Sequence, residues 1–401
     1  MNILYYCDEY PPARNGGIGT VVRIVAEAMS QRGHKVVVAG KYWEGEGRET
    51  VEQIGGVTVI RWHKGKYNTL GLQLKSSLGR WFKGICKPQM VFSRTQRLIE
   101  DTVAEYGIDL VEVPDYVDDF IHHNNLVTPE WDNTAPKLVR VHGSVSFLKY
   151  YLQGVPDEKK IVQDQGFLRQ SNAICAVSVF SKEFVQKYLC EGRTVETIYN
   201  PIESHWFDLP SNVSQSRTIL FFGKIAKMKG VFSLIEAFNR IASDFPEINL
   251  KLVGSGNVAS AKKMVDPMYS DRVSFSGFIP QDRIKEEIDR ALFCVLPSYF
   301  ENFSMAALEV LARNRALIYT TRASGPELIK DMENGMLVDP DDIEGLAERM
   351  KLLISDSSLR NRLAGAGYKV CKEHFSTDVI IPQLEKYYDA LIQNGKNQEN
   401  R

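Results

Sequence analysis

The sequence lacks most features of secreted, nucleic-acid-binding and membrane-spanning proteins. Its six cysteines, among 401 residues, are scattered without a Cys-x-x-Cys pair, which argues against a zinc site and against a disulfide framework. The formal net charge of −1 gives no overall nucleic-acid signature. No apolar run approaches the roughly 18 residues that cross a bilayer, and the first residues have the pattern of a strand, not of a signal peptide. We therefore expect a cytoplasmic protein.

What the sequence does contain is a regular alternation of strand and helix patterns, which predicts doubly wound parallel sheets. The alternation restarts near residue 218, and 401 residues are too many for one ordinary core. We predict two α/β domains, 1–200 and 201–376, a helix over 377–393 that packs back on the first domain, and a disordered tail after it. The predicted strands are 3–7, 35–39, 58–62, 110–113, 138–141 and 173–178, then 218–222, 249–253, 273–276, 293–297 and 316–320.

In the first domain, glycines follow the first predicted strand and a histidine follows a later one. Gly16 and Gly17 precede a helix pattern, so the backbone could approach a ligand closely and the helix N-terminus would favour an anion. A dinucleotide-binding fingerprint would need a further glycine and an acidic residue after the second strand. Val22 and Lys41 stand near those positions, which disfavours NAD. His142 ends a strand before a glycine, where ligands bind to open sheets.

In the second domain, two glutamates lie eight positions apart across a strand, a loop and a helix. Glu301 is in the loop and Glu309 in the helix, whose free N–H groups favour a diphosphate, while carboxylates accept hydrogen bonds from sugar hydroxyls. Lys224 and Lys229, in another loop that enters a helix, could clamp a diphosphate. Together these residues predict a nucleotide-sugar site, although each alone also fits a solvated surface. The acidic run 339–342 precedes a helix, which predicts a turn and an N-cap, not a metal ligand set.

In their order along most of the chain, these motifs resemble glycosyltransferase family 4, retaining enzymes with the GT-B fold of two Rossmann-like domains that face each other across a cleft. The motifs that carry the resemblance are Gly16-Gly17-x-Gly19, His142-Gly143, Val177-Ser178, Asn200-Pro201, Gly223-Lys224, Lys229-Gly230, Gly254-x-Gly256, Gly277, Glu301, Glu309, Pro326-Glu327 and Asn334-Gly335.

The resemblance implies a role for each matched residue. Lys224, at a position where the family usually has arginine, and Lys229 would clamp the diphosphate. Glu309 would hold the ribose hydroxyls, Glu301 would lie beside the donor sugar, and His142 would lie near its O6 and anomeric centre. The donor-binding set would be completed by Gly16, Gly17, Gly223, Gly254, Phe278, Asn302, Phe303 and Ser304. Asp115 and Tyr116 are candidates for acceptor binding, among loops 64–95 and 115–125.

The implied reaction transfers a sugar with retention from a nucleotide diphosphate, with UDP favoured and GDP as an alternative, and needs neither a metal ion nor a cofactor. The acceptor would be the hydroxyl of a sugar or lipid-linked sugar in bacterial surface-polysaccharide or glycolipid synthesis. Residues 61–97 carry nine Lys/Arg and no Asp/Glu, which fits contact with an anionic membrane at its inner face. A solvated face or an acceptor cleft fits equally well. We expect no nucleic-acid partner.

Two other functions fit the same fold. Sugar-nucleotide epimerases share it, and would need acid/base carboxylates in the first domain, for which Glu112 and Asp115 are the candidates. A non-catalytic partner subunit would also keep the fold. The intact set of Glu301, Glu309, Lys224, Lys229 and His142 argues against the second alternative.

Overall fold

The computed structural model describes residues 1–12, 16–42, 49–63, 88–115, 135–210 and 217–399. The chain divides into two compact units. Unit 1 comprises Met1–Pro201 and Ile380–Arg401, and unit 2 comprises Ile202–Val379.

Unit 1 is built on an eight-stranded sheet. Its strands are β1 Asn2–Tyr6, β2 Lys35–Tyr42, β3 Thr50–Ile54, β4 Val57–His63, β5 Leu110–Pro114, β6 Lys137–Val141, β7 Ala173–Ala176 and β8 Glu196–Thr197. Its first helices are α1 Gly17–Gln31, α2 Pro88–Tyr106, α3 Val145–Gln153, α4 Glu158–Arg169 and α5 Val179–Phe184. The strand order is β3-β4-β2-β1-β5-β6-β7-β8, and only β3 runs antiparallel to its neighbour.

Unit 2 has a six-stranded, wholly parallel sheet. Its strands are β9 Thr218–Phe222, β10 Asn249–Val253, β11 Val273–Phe275, β12 Phe293–Leu296, β13 Leu317–Thr320 and β14 Met336–Val338. Its helices are α6 Val231–Ile241, α7 Val258–Met264, α8 Gln281–Arg290, α9 Met305–Ala312, α10 Gly325–Leu328, α11 Ile343–Ser355 and α12 Ser357–Phe375, and α13 Thr377–Glu399 follows. The order β11-β10-β9-β12-β13-β14 is that of a Rossmann sheet. From β9, successive strands are added toward one edge up to β11, and from β12 onward they are added toward the other edge, so the strand order reverses between β9 and β12.

The central strands of both sheets are short apolar runs that are buried on both faces. The strand residues of β5, β6, β7, β12 and β13 are buried throughout, as expected where helices cover both sides of a parallel sheet. Such a sheet leaves a crevice beyond the carboxyl ends of its strands where the order reverses. In unit 1 that point lies between β1 and β5, and in unit 2 between β9 and β12.

The last helix, α13, is anchored in unit 1 by polar contacts. The Tyr388 hydroxyl donates a hydrogen bond of 2.5 Å to Glu112 Oε2 in the buried interior. Glu385 accepts from Arg32 at 2.6 Å and contacts the His34 ring at 2.7 Å. The helix continues to Glu399, so the prediction of a disordered tail is wrong for 394–399.

The eleven strands expected from the sequence are all present in the structure, with ends that differ by up to two residues except in β2, which extends three residues further. Three further strands were not predicted. β3 is largely exposed and polar, and β8 has two residues and β14 three, so none of them shows the run of about four to eight apolar residues by which a buried strand is predicted.

Candidate active site

The reversal point of the unit 2 sheet brings together two residues that lie 72 positions apart. Lys229, in the loop after β9, forms an ion pair of 2.6 Å from its Nζ to Oε1 of Glu301, in the loop after β12. The Ser298 hydroxyl donates to the same carboxylate oxygen at 2.9 Å. The side chains of Lys229 and Glu301 are 29% and 16% exposed, so both are accessible from the crevice where a Rossmann sheet binds ligands.

Two glycines allow the loops around this crevice to touch through their backbones. A Cβ on Gly254, whose φ is +142°, would lie 1.8 Å from the carbonyl oxygen of Gly223. A Cβ on Gly230, at φ +70°, would lie 1.8 Å from the carbonyl oxygen of Pro297. Because only glycine avoids both the overlap and the left-handed strain, these positions join the loops after β9, β10 and β12 into one platform. The Gly254 N–H also donates to the Gly277 carbonyl at 2.7 Å.

Helix α9 begins beside this platform. Ser304 is the N-cap, and its hydroxyl accepts a hydrogen bond of 3.3 Å from the Ala307 N–H. Asn302, Phe303 and Ser304 are all buried, so the turn that precedes the helix is firmly packed. The positive end of a helix dipole next to the lysine loop favours a phosphate group there.

Glu309 lies one turn inside α9 and is 8% exposed. Burial raises the pKa of its carboxyl to about 7, the hydrogen bond from Gln281 lowers it, and Glu203 adds a smaller upward contribution. Gln281 Nε2 donates to Glu309 Oε1 at 3.0 Å. Gln281 was not predicted from the sequence, where its only signal is its place at the start of α8, after the loop that follows β11.

Lys224 and Phe278 lie on the exposed side of the same loops. Lys224 is solvent-exposed, and in the described part of the chain no hydrogen bond or ion pair joins it to the other predicted site residues. The Phe278 side chain is 80% exposed. Lys229 and Glu301 are thus held in contact with each other, whereas Lys224 and Phe278 are exposed side chains in the loops after β9 and β11.

In unit 1, Asp115 supports the turn that carries His142. Asp115 Oδ1 accepts hydrogen bonds from the N–H groups of His142 at 2.7 Å and Gly143 at 3.2 Å, and Oδ2 accepts from Gly143 at 3.2 Å. Burial raises the pKa of Asp115 to about 7 against the pull of these donors. Burial, with a contribution from Arg140, lowers the pKa of His142 to about 3, so its ring is neutral at physiological pH.

Of the other residues predicted for the unit 1 site, the structure describes only some. Gly16 is the N-cap of α1, and among the residues that the structure describes, apart from the neighbouring residues and the helix backbone, no atom lies within 4 Å of a Cβ built on Gly17. Tyr116 lies outside the described residues, as do 64–87 of the basic segment and 117–125 of the acceptor loop. Acceptor binding by Asp115 and Tyr116 therefore stays a prediction.

The acidic run before α11 is a turn and a cap, as predicted. The Asp342 side chain accepts from the Gly345 N–H at 2.8 Å, and Asp339 and Asp341 accept hydrogen bonds from the Arg322 guanidinium. Among the residues that the structure describes, no group of three or more His, Cys, Asp or Glu side chains is arranged to hold a metal ion.

Two family models match consecutive parts of the chain. Residues 15–206 match the model of Glycosyltransferase Family 4, and residues 206–370 match that of Glycosyl transferases group 1. The chain belongs to glycosyltransferase family 4. The match covers both units, as the order of motifs in the sequence suggests.

Individual relatives of this glycosyltransferase are distant. It is 26% identical to N-acetyl-alpha-D-glucosaminyl L-malate synthase of Bacillus anthracis over 57% of the chain and 62% of that protein. It is 32% identical to the lipopolysaccharide core biosynthesis glycosyltransferase LpsE of Rhizobium meliloti over 40% of the chain and 46% of that protein. The matched region thus spans less than two thirds of either relative.

A solved structure shares the fold of the glycosyltransferase over nearly its whole length. HepE of Anabaena, solved in complex with UDP, has a TM-score of 0.71 and 16% identity, over 97% of this chain and 100% of that one. The two parallel-sheet α/β units therefore form a GT-B fold. Among the described residues, no helix of the glycosyltransferase is long and apolar enough to span a bilayer.

The carboxylates that an epimerase would need are committed to other contacts. Glu112 is 4% exposed and accepts a hydrogen bond from Tyr388, and both oxygens of Asp115 accept from backbone N–H groups. Neither carboxylate is presented as an acid/base group, which disfavours the epimerase alternative.

Proposed function

We propose that this glycosyltransferase moves a sugar from a UDP-sugar to an acceptor hydroxyl, with retention of the anomeric configuration and without a metal ion. The observation that carries the proposal is the ion pair between Lys229 and Glu301 at the reversal point of the unit 2 sheet. In this pair a cation suited to a diphosphate and a carboxylate suited to sugar hydroxyls lie a hydrogen bond apart, which supports the proposal.

In the proposed reaction, the bond from the anomeric carbon to the diphosphate oxygen breaks, and the acceptor oxygen bonds to that carbon from the same face. The acceptor proton passes to the departing phosphate oxygen, so no separate base is required. Lys224, Lys229 and the N-terminus of α9 stabilise the negative charge that develops on the diphosphate. Fixed cations and a helix dipole supply what a divalent ion would otherwise contribute.

The donor residues have distinct tasks. Glu309 accepts hydrogen bonds from the ribose hydroxyls and Glu301 from the sugar hydroxyls. His142, which is neutral, offers both a donor and an acceptor to the donor sugar, in the role that the family resemblance implies. UDP is favoured over GDP because HepE, which shares the fold, was solved with UDP bound.

The acceptor is proposed to be a sugar or lipid-linked sugar of a bacterial surface polysaccharide or glycolipid. The name of LpsE, a lipopolysaccharide core glycosyltransferase, supports this setting. An enzyme with such an acceptor would work at the inner face of the membrane, where the basic residues of 61–97 would contact anionic lipid.

Donor binding tests the proposal. Thermal unfolding is followed with UDP, GDP, ADP, UDP-glucose, UDP-N-acetylglucosamine and GDP-mannose, with and without EDTA. We expect stabilisation by UDP and by one UDP-sugar, unchanged by EDTA and lost in Lys229→Met. Lys251→Met is the matched control, because Lys251 forms a 2.7 Å ion pair with Glu287 at similar exposure. A shift that requires a divalent metal would overturn the metal-independent mechanism, and no shift with any nucleotide would overturn the donor site.

A further inference from the structure

A second cluster, of three charged side chains and one tyrosine, lies next to the candidate active site and has no part in the proposed reaction. Its members are Tyr299, Arg322, Asp339 and Asp341, here called the loop latch. Arg322 donates to Asp339 through Nε at 3.1 Å and Nη2 at 2.7 Å, and to Asp341 Oδ2 at 2.5 Å. The Tyr299 hydroxyl donates to Asp341 Oδ1 at 2.6 Å, and the guanidinium lies 5.0 Å from the Tyr299 ring centre.

The loop latch connects three loops at the carboxyl end of the unit 2 sheet. Tyr299 follows β12, Arg322 follows β13, and Asp339 and Asp341 follow β14. Asp339 and Asp341 are 42% and 65% exposed in their side chains. Exposed ion pairs contribute little to global stability, so stability alone does not account for a two-point guanidinium contact and a tyrosine that converge here.

What the loop latch holds is the segment that carries Glu301. Tyr299 directly follows Ser298, whose hydroxyl donates to Glu301. The Tyr299 N–H donates to the Met228 carbonyl at 2.8 Å, one residue before Lys229. The Ser324 hydroxyl, two residues after Arg322, donates to the Glu301 carbonyl at 3.1 Å. The segment 298–301 is thus fixed on both sides.

We propose that the loop latch is a positioning device that holds the Glu301 carboxylate in place for the donor sugar. The inference rests on the proposed function, because it assigns the loop latch to the sugar-binding part of that site. Loops are the mobile parts of a fold, and a displacement of about 1 Å at a reacting group can cost about a hundredfold in rate. Glu301 needs this support most when a diphosphate draws Lys229 away from it.

The test uses Arg322→Lys, which keeps the charge but loses the planar fork, and Tyr299→Phe, which keeps the ring but loses the bond to Asp341. Arg349→Lys is the matched control, since Arg349 binds Asp331 through two contacts of 2.8 and 2.9 Å at similar exposure but on α11. The probes are UDP and the UDP-sugar that stabilises the wild-type protein best. The measurements are Kd for each probe, kcat and KM for hydrolysis of the UDP-sugar to UDP and free sugar, in which water takes the place of the acceptor, and Tm.

We expect both latch variants to lower kcat/KM for the UDP-sugar by about tenfold, with the Kd for UDP within about twofold of wild type and a Tm equal to that of Arg349→Lys. A double-mutant cycle with Glu301→Gln shows whether the effect passes through Glu301. If it does, Arg322→Lys has little further effect in the Glu301→Gln protein.

Two results would overturn the inference. Equal fractional losses from Arg322→Lys in the wild-type and Glu301→Gln backgrounds would make the loop latch a purely structural feature and leave the proposed function standing. Full activity of Glu301→Gln itself would overturn the role of Glu301 in the proposed function, and the positioning role with it.

Discussion

The pKa of Glu309 makes donor binding and protein stability respond to pH in opposite directions. The carboxyl is 8% exposed, and burial raises its pKa from the ordinary 4.5 to about 7. A group whose pKa is raised on folding stabilises the fold fully below its unfolded pKa, and this contribution is lost as the pH rises through the folded pKa. The difference between a pKa of 4.5 in the unfolded chain and one of about 7 in the folded protein corresponds to about 3 kcal/mol in the free energy of unfolding. Stability should therefore fall between about pH 4.5 and pH 7.

Ribose hydroxyls bind best to an ionised carboxylate, so UDP affinity should rise over part of the same range. With a pKa of about 7, the ionised fraction of Glu309 is about 30 times larger at pH 8 than at pH 5.5. If only the ionised form accepts both hydrogen bonds, Kd for UDP should increase about 30-fold over that fall in pH. Isothermal titration calorimetry at several pH values measures it.

Glu309→Gln separates this effect from other titrations. The variant keeps an oxygen acceptor and the size of the side chain but cannot ionise, so its UDP affinity and its stability should both lose the pH dependence that Glu309 supplies. The phosphate groups of UDP titrate equally in both proteins, which makes the difference between the two curves the relevant quantity. Parallel curves for wild type and variant would refute the assignment of Glu309 to the ribose.

Three further changes test the fold that supports the site, each by urea unfolding. Tyr388→Phe leaves the buried Glu112 carboxylate without its hydroxyl donor and should lower the free energy of unfolding by about 1–3 kcal/mol, whereas an unchanged value would show that water replaces the donor. Arg313→Lys loses a two-point contact with an aspartate and should cost about 3 kcal/mol; a loss below about 1 kcal/mol would contradict this. Gly254→Ala should cost at least about 2 kcal/mol, unlike Gly365→Ala, which meets open space.

The fold follows from the sequence because the alternation of strands and helices leaves few topologies. Parallel strands joined by right-handed crossovers place the ends of consecutive strands at one edge, so residues just after β9 and β12 could be assigned to one crevice without coordinates. This explains why Lys229 and Glu301, predicted from separate loops, contact each other. The chemistry of each residue type then limits what ligand the crevice accepts.

Contacts that depend on how loops pack could not be predicted in this way. Gln281, the first residue of α8, donates a hydrogen bond to Glu309 in α9. The position at which α8 begins depends on the path of the loop after β11, which no sequence pattern predicts. The Arg322 contacts with Asp339 and Asp341 could not be predicted either, because β14, the strand that precedes the two aspartates, was not predicted from the sequence. The aspartates were correctly assigned to a turn, but their guanidinium partner depends on the order of neighbouring strands.

The ion pair between Lys229 and Glu301 predicts a preference for the sugar nucleotide over the free nucleotide. In the structure the two side chains satisfy each other at 2.6 Å. A diphosphate that takes Lys229 leaves Glu301 with the Ser298 hydroxyl and a partly desolvated charge, a cost that sugar hydroxyls offset and UDP alone does not. Glu301→Gln removes this cost because the lysine is no longer paired.

We therefore expect Glu301→Gln to bind UDP about three to ten times more tightly than wild type, as for the loss of a competing ion pair worth about 1 kcal/mol, and the UDP-sugar no more tightly. Calorimetric titration of both ligands gives the ratio of the two Kd values, with Glu287→Gln as the control that breaks the matched pair with Lys251. Weaker UDP binding in Glu301→Gln would mean that the carboxylate helps to orient Lys229 toward the diphosphate, and that the two residues cooperate in binding UDP instead of competing.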